Sequence, residues 1–163
     1  MTALRINHVS VHGDDLEASA RFYEELFGME RVPNPRFQQD VIWLKVGNQQ
    51  LHIFKRDDAK PPIGHHLGLD ADDFEAVYWK AKERGLLDGE TWSQAIRMHP
   101  LGWVQMYIRD PAGNLVEVDW PDVSTLSSEL QAEIGRLEDE VAQTGAAAGA
   151  TLYDALLDQS ASS

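Results

Sequence analysis

No cysteine occurs anywhere in the 163 residues. Disulfides, thiolate nucleophiles and cysteine metal ligation are therefore excluded. Long apolar runs are missing as well. The start, Met1-Thr2-Ala3-Leu4-Arg5, leads into no apolar leader core, and no stretch is long enough to span a bilayer. A soluble, cytoplasmic protein is the expectation, with no membrane partner. Basic residues are scarce: 14 Lys and Arg stand against 27 Asp and Glu, for a net charge of −13. Such a surface repels nucleic acid, which is excluded as a partner on the same ground as anionic membrane. Part of that charge sits in the stretch 122–163, where eight carboxylates accompany a lone Arg136. What is present is an apolar fraction of 43% with five tryptophans, enough for one domain with a real core.

The chain repeats itself. Shifted back by 58 positions, the stretch around His66 falls on the stretch around His8. Asp72 and Asp73 then land on Asp14 and Asp15, Glu75 on Glu17, and Ala76 on Ala18. Apolar Leu67, Leu69 and Phe74 fall on Val9, Val11 and Leu16. A repeat of this kind means two copies of one structural unit.

Each unit reads the same way. Leu4 to Val11 alternates as a strand, with His8 on the face opposite Val9 and Val11. Asp14 or Asp15 caps a helix with Leu16, Phe22, Tyr23 and Leu26 on its apolar side, and Gly28 closes it. Met29–Val32, Val41–Val46 and Gln50–Lys55 follow as strands, the last two joined at Gly47-Asn48. Arg56–Gly64 reads as a linker. His66–Asp70 opens the second unit as a strand, Asp72 or Asp73 caps a helix to about Arg84, and Trp103–Ile108 and Leu115–Asp119 end it around the turn Asp110-Pro111-Ala112-Gly113-Asn114. Leu86–His99 carries no readable pattern. The fold class is α+β: two tandem βαβββ modules, about 4–55 and 65–121, forming a curved mixed sheet around a cleft. The domain spans 1–121. Residues 122–163 form a C-terminal helical extension, in which Leu130, Ile134, Leu137 and Val141 make one apolar stripe. A further short helix is expected around Leu152–Leu157.

The repeat also relates Leu51-His52-Ile53 to Val116-Glu117-Val118, now 65 positions apart. His8 with His66, and His52 with Glu117, are thus two symmetry pairs, all facing the cleft. Imidazole and carboxylate donors so placed suit a divalent ion such as Fe²⁺, Mn²⁺, Ni²⁺, Co²⁺ or Zn²⁺.

Ile6-Asn7-His8-Val9, His65-His66-Leu67-Gly68-Leu69 and Arg109-Asp110-Pro111-Ala112-Gly113-Asn114-Leu115-Val116-Glu117 together resemble the vicinal-oxygen-chelate superfamily of glyoxalase I, extradiol dioxygenases, and fosfomycin- and bleomycin-resistance proteins. The resemblance covers residues 4–121. It implies metal ligands at His8, His66 and Glu117, and a fourth at His52, where glyoxalase I has glutamate. Histidine at that position departs from glyoxalase I.

Three functions follow from the resemblance. A metal binding two neighbouring substrate oxygens would support lyase or isomerase chemistry through an enediolate or enolate, with Glu117 moving the proton and Tyr107 as a candidate donor. Alternatively, two histidines and a carboxylate around Fe²⁺ would cleave a catechol ring. A third reading is a drug-binding protein without catalysis, which does not need the ligand set. The partner in each case is a small molecule. Phe37, Trp43, Trp92 and Trp103 are candidates to line its pocket, although strand aromatics are mostly core. His65 faces away from His66 by alternation, His12 and His99 lie outside the strands, and Asp119 reads as a solvated rim carboxylate. A homodimer is expected, because modules of this size bury little alone.

Overall fold

The computed structural model describes residues 3–58 and 60–153. Its architecture is α+β, and the two units share one design. The first runs β1 (His8–Gly13), α1 (Leu16–Phe27), β2 (Glu30–Val32), β3 (Val41–Val46) and β4 (Gln49–Lys55). The second runs β5 (His66–Asp70), α2 (Phe74–Glu83), β6 (Ile96–Met98), β7 (Val104–Arg109) and β8 (Leu115–Trp120). Their sheets have equivalent orders, β1-β4-β3-β2 and β5-β8-β7-β6, with a short β9 (Gly135–Arg136) added beside β6.

The repeated aspartates have a local cause. Asp15 accepts the Ala18 amide at 2.9 Å and Asp73 accepts the Ala76 amide at 3.0 Å, so each caps its helix. Gly28 ends α1 at φ 63, a left-handed conformation that glycine adopts without strain. Phe22, Tyr23 and Leu26 of α1 and Phe74, Val77 and Tyr78 of α2 are buried against the sheets in one shared core.

A polar clamp joins the modules. In the turn before β8, Asp110 Oδ1 accepts the amides of Ala112 and Asn114 at 3.0 and 2.8 Å. Its Oδ2 accepts Asn114 Nδ2 at 2.8 Å and the Tyr23 hydroxyl at 3.0 Å. Asn114 Nδ2 also donates to the His12 carbonyl at 2.8 Å. The turn half of the Arg109–Glu117 motif therefore ties β8 to α1 and β1, while its last residue faces the cleft.

Three expectations are corrected. The first strand begins at His8, not Leu4; Leu4 and Ile6 are exposed. The unreadable stretch holds β6 and an isolated bridge from Leu87 to Ile108, completing the second βαβββ pattern. The extension is helical in pieces, not one striped helix. Ser127 caps a four-residue α3 (Ser128–Gln131), β9 pairs in parallel with β6, and α4 (Leu137–Glu140) follows, with a 3₁₀ turn over 145–149. Gly135 disfavours helix, and the free edge of β6 supplies its backbone partners. The stripe is accordingly divided: Leu130 is buried and Val141 exposed. Leu152 and Tyr153 are not helical; the rest of the expected second helix lies outside the described residues. Among the described residues no helix is long and apolar enough to cross a membrane.

Candidate metal centre and active site

The strand ladders repeat residue for residue. Ser10 and Trp43 both pair with His52, and Gly68 and Tyr107 both pair with Glu117. His52 and Glu117 are thus equivalent, as are Trp43 and Tyr107. Two residues before Ser10 and Gly68, His8 and His66 open β1 and β5 on the same faces. Both strands lie at the ends of their sheets, so His8, Ser10 and His12, and His66, Gly68 and Asp70, are exposed. A groove of about 330 Å³ lies between them, with His12, His65 and His66 in its walls.

The four predicted donors form two pairs. On the second sheet, His66 Nδ1 donates to the Gly64 carbonyl at 2.9 Å, while Nε2 stands 3.5 Å from Glu117 Oε2. A neutral His66 therefore turns a lone pair toward a buried carboxylate. Two acceptors facing each other call for a cation between them, a proton or a metal. On the first sheet, His8 Nδ1 donates to Asn7 Oδ1 at 2.6 Å, which leaves Nε2 free. His52 is sandwiched between His8, centroids 4.4 Å apart, and Trp43, 4.1 Å apart. Its Nε2 donates to Gln50 Oε1 at 2.9 Å, leaving Nδ1 free. Burial, and then the proximity of His8, depresses its pKa. Among the described residues no three His, Asp or Glu side chains lie together within reach of one ion. The donor chemistry nonetheless fits a divalent metal: two free Nε2 atoms and a carboxylate, each imidazole oriented by a second hydrogen bond through Nδ1.

Behind Glu117 lies a polar layer. Tyr107 donates to Gln105 Oε1 at 3.2 Å, Arg97 Nη2 donates to the Tyr107 oxygen at 3.4 Å, and His99 Nε2 bonds Gln105 at 2.7 Å. Burial, and secondly the neighbouring Glu117 carboxylate, pushes the Tyr107 phenol up, so it stays protonated. Asp119 is buried, not a solvated rim residue. Its burial, and then the charge of Glu117, raise its pKa to about 8. Strand alternation after Glu117 could have placed it inward. Arg97 carries no such signal, because β6 is three residues long, whereas Gln105 lies on β7 and shares the face of Tyr107 by alternation. Among the aromatics, Phe37 tilts against Trp43, Trp92 lies 6.2 Å from the Tyr107 ring, and Trp103 stacks on His99 at 3.6 Å.

Two βαβββ modules of equivalent strand order, with His8 and His66 exposed on their first strands and Glu117 buried beside His66, define a class of fold. Residues 5–118 match the Glyoxalase/Bleomycin resistance protein/Dioxygenase superfamily, and the chain belongs to it. It is similar to the mitochondrial methylmalonyl-CoA epimerase of Mus musculus, at 28% identity over 71% of this chain and 72% of that protein. It is also similar to the crystal structure of a lactoylglutathione lyase from Agrobacterium tumefaciens, at 28% identity and a TM-score of 0.54, covering 73% of this chain and 95% of that one. The structure of oxidase ChaP-H2 shares the fold at a TM-score of 0.60 and 23% identity, covering 75% and 99%.

Proposed function

We propose that this chain is a metal-dependent isomerase or lyase, acting on a small molecule that presents two neighbouring oxygens beside an acidic C–H bond. His8, His66 and Glu117 hold a divalent ion, Fe, Mn, Ni, Co or Zn, and His52 completes the set when its ring leaves the stack. The observation that carries this reading is the His66 Nε2 lone pair facing Glu117 Oε2 at 3.5 Å. When bound, the metal supplies Lewis-acid stabilisation of an enolate or enediolate oxygen. The chain does the rest. Gly64 and Asn7 orient the two imidazoles. Glu117 is the carboxylate placed to take the substrate proton. The Tyr107 hydroxyl, held between Gln105 and Arg97, is placed to donate one. Similarity to an epimerase and a lyase supports this chemistry over ring cleavage.

A second reading has its own support. If His52 remains stacked, His8, His66 and Glu117 alone would hold the ion, the two-histidine, one-carboxylate set with which Fe²⁺ would supply ring-cleaving dioxygenase chemistry.

Metal analysis of the protein purified without added metal, alongside His66→Ala and Glu117→Ala, tests the site. Loss of metal in both variants with unchanged circular dichroism is expected; full occupancy in both refutes it. Incubation with methylmalonyl-CoA in D₂O, followed by NMR of the α-proton, tests the first chemistry. Oxygen uptake with a catechol panel tests the second.

A further inference from the structure

The C-terminal stretch lies beyond the residues that match the superfamily, 5–118, but it returns to the second sheet. It is tethered on the way by the pairing of β9 with β6 and by Ser93 Oγ donating to Glu140 Oε2 at 2.8 Å. Trp103 Nε1 then donates to the Ala150 carbonyl at 3.3 Å. Three residues on, the Tyr153 hydroxyl donates to Asp70 Oδ1 at 3.0 Å, and its ring meets Trp103 edge-on, centroids 6.4 Å apart.

This places Tyr153 over the chemistry. Leu152 and Tyr153 form one side of an open cavity of about 360 Å³ whose lining includes Gly68, Asp70, Glu117 and Asp119. A Cβ at Gly68 would stand 3.9 Å from both Glu117 Oε1 and Asp119 Oδ2, so at this point the floor is backbone flanked by two carboxylates. Simple packing of a tail would bury its leucine and leave the phenol in water. Here Leu152 is 57% exposed while the phenol is committed to Asp70.

We infer that Tyr153 is a specificity-determining residue of this site: it forms the outer wall of the cavity over Glu117 and limits the size of the group a substrate carries past it. The selection of substrates rests on the function proposed above; the wall rests on geometry alone.

The test uses the full metal-free chain and two water-soluble carbodiimides, one compact and one bulky. The labelling rate of the peptide carrying Glu117 and Asp119 is followed by mass spectrometry. In Tyr153→Ala, labelling by the bulky reagent should rise about tenfold and by the compact one at most about threefold, because the wall no longer has to open first. Tyr153→Phe, which keeps the ring and loses the Asp70 bond, should fall between wild type and Tyr153→Ala. Circular dichroism confirms that all three fold alike. Unchanged rates, or equal rises with both reagents, overturn the inference. Mn²⁺ binding by the wild type is measured in parallel. Fe²⁺, Ni²⁺, Co²⁺ and Zn²⁺ are titrated likewise; failure of all five refutes the metal reading and leaves the labelling ratio to decide on the wall.

Discussion

Tyr23 of α1 donates its hydroxyl to Asp110 of the β7–β8 turn at 3.0 Å, and both are buried. The bond spans the two modules, and Asn114 extends the same cluster to the His12 carbonyl. Whatever geometry the groove between β1 and β5 has is therefore fixed partly from behind the sheet. Tyr23→Phe keeps the ring and removes one donor from a buried carboxylate, which should cost about 1–2 kcal/mol. Urea unfolding measures it, and an unchanged midpoint would show that the clamp carries no stability.

A half-buried ion pair lies beside the same turn. Arg109 Nε donates to Asp88 Oδ2 at 2.5 Å, and Asp88 Oδ1 accepts the Thr91 amide at 2.9 Å. Burial alone would raise the Asp88 pKa, but these hydrogen bonds win and hold it below its ordinary 3.8. A carboxylate depressed in the folded state stabilises above its unfolded pKa and loses that contribution as pH falls through the folded value. Asp88→Asn should thus be less stable than wild type by about 1–3 kcal/mol at neutral pH. The gap should close as the pH drops below 3.8. A gap independent of pH would mean that the charge of Asp88 is not what matters.

The repeat made the modules legible because it is written in residues that do local work. Asp15 and Asp73 cap helices, and alternation sets His8 and His66 on open faces. Register carried the rest: the offset between His52 and Glu117 is the offset of two equivalent rungs. Less was legible where tertiary context decides. Ile96–Met98 is three residues long and gains its identity from pairing with β7. The apolar stripe from Leu130 to Val141 has helical spacing, but the free edge of β6 captured Gly135 and Arg136 instead. Alternation puts Asp119 on the face of Glu117, but its burial follows from pairing with Gln105 of β7, which local sequence does not show.

A homodimer is expected on a further ground. Leu4 is 95% exposed, Ile6 65% and Phe37 50%, three apolar side chains around the His8 half of the site. Large apolar side chains left in water at a site's edge gain by being covered in a dimer. Sedimentation velocity at micromolar concentration should give a dimer, and Leu4→Glu combined with Ile6→Glu should give a monomer. A monomeric wild type, or a double variant that still dimerises, rules this surface out.

The remaining prediction concerns His52 and decides between the two chemistries. Lone pairs of an imidazole lie in the ring plane. His8 and His52 stack with planes 17° apart and centroids 4.4 Å apart, so their lone pairs run in nearly parallel layers. They cannot meet at one ion with bonds of about 2.0–2.2 Å. For His52 to ligate beside His8, its ring must leave the sandwich with Trp43, which lies at 4.1 Å and 4°. Stacking of this kind is worth about 0.5–1.5 kcal/mol, and that amount opposes metal binding. Removing it with Trp43→Ala should tighten metal binding by roughly two- to tenfold. The gain should vanish in the double variant Trp43→Ala, His52→Ala, because no ring is left to swing. Titration calorimetry with Mn²⁺ reads both. A Trp43→Ala protein with unchanged affinity would mean that His52 stays in the stack. The site would then have three protein ligands, and the ring-cleaving dioxygenase would become the better reading.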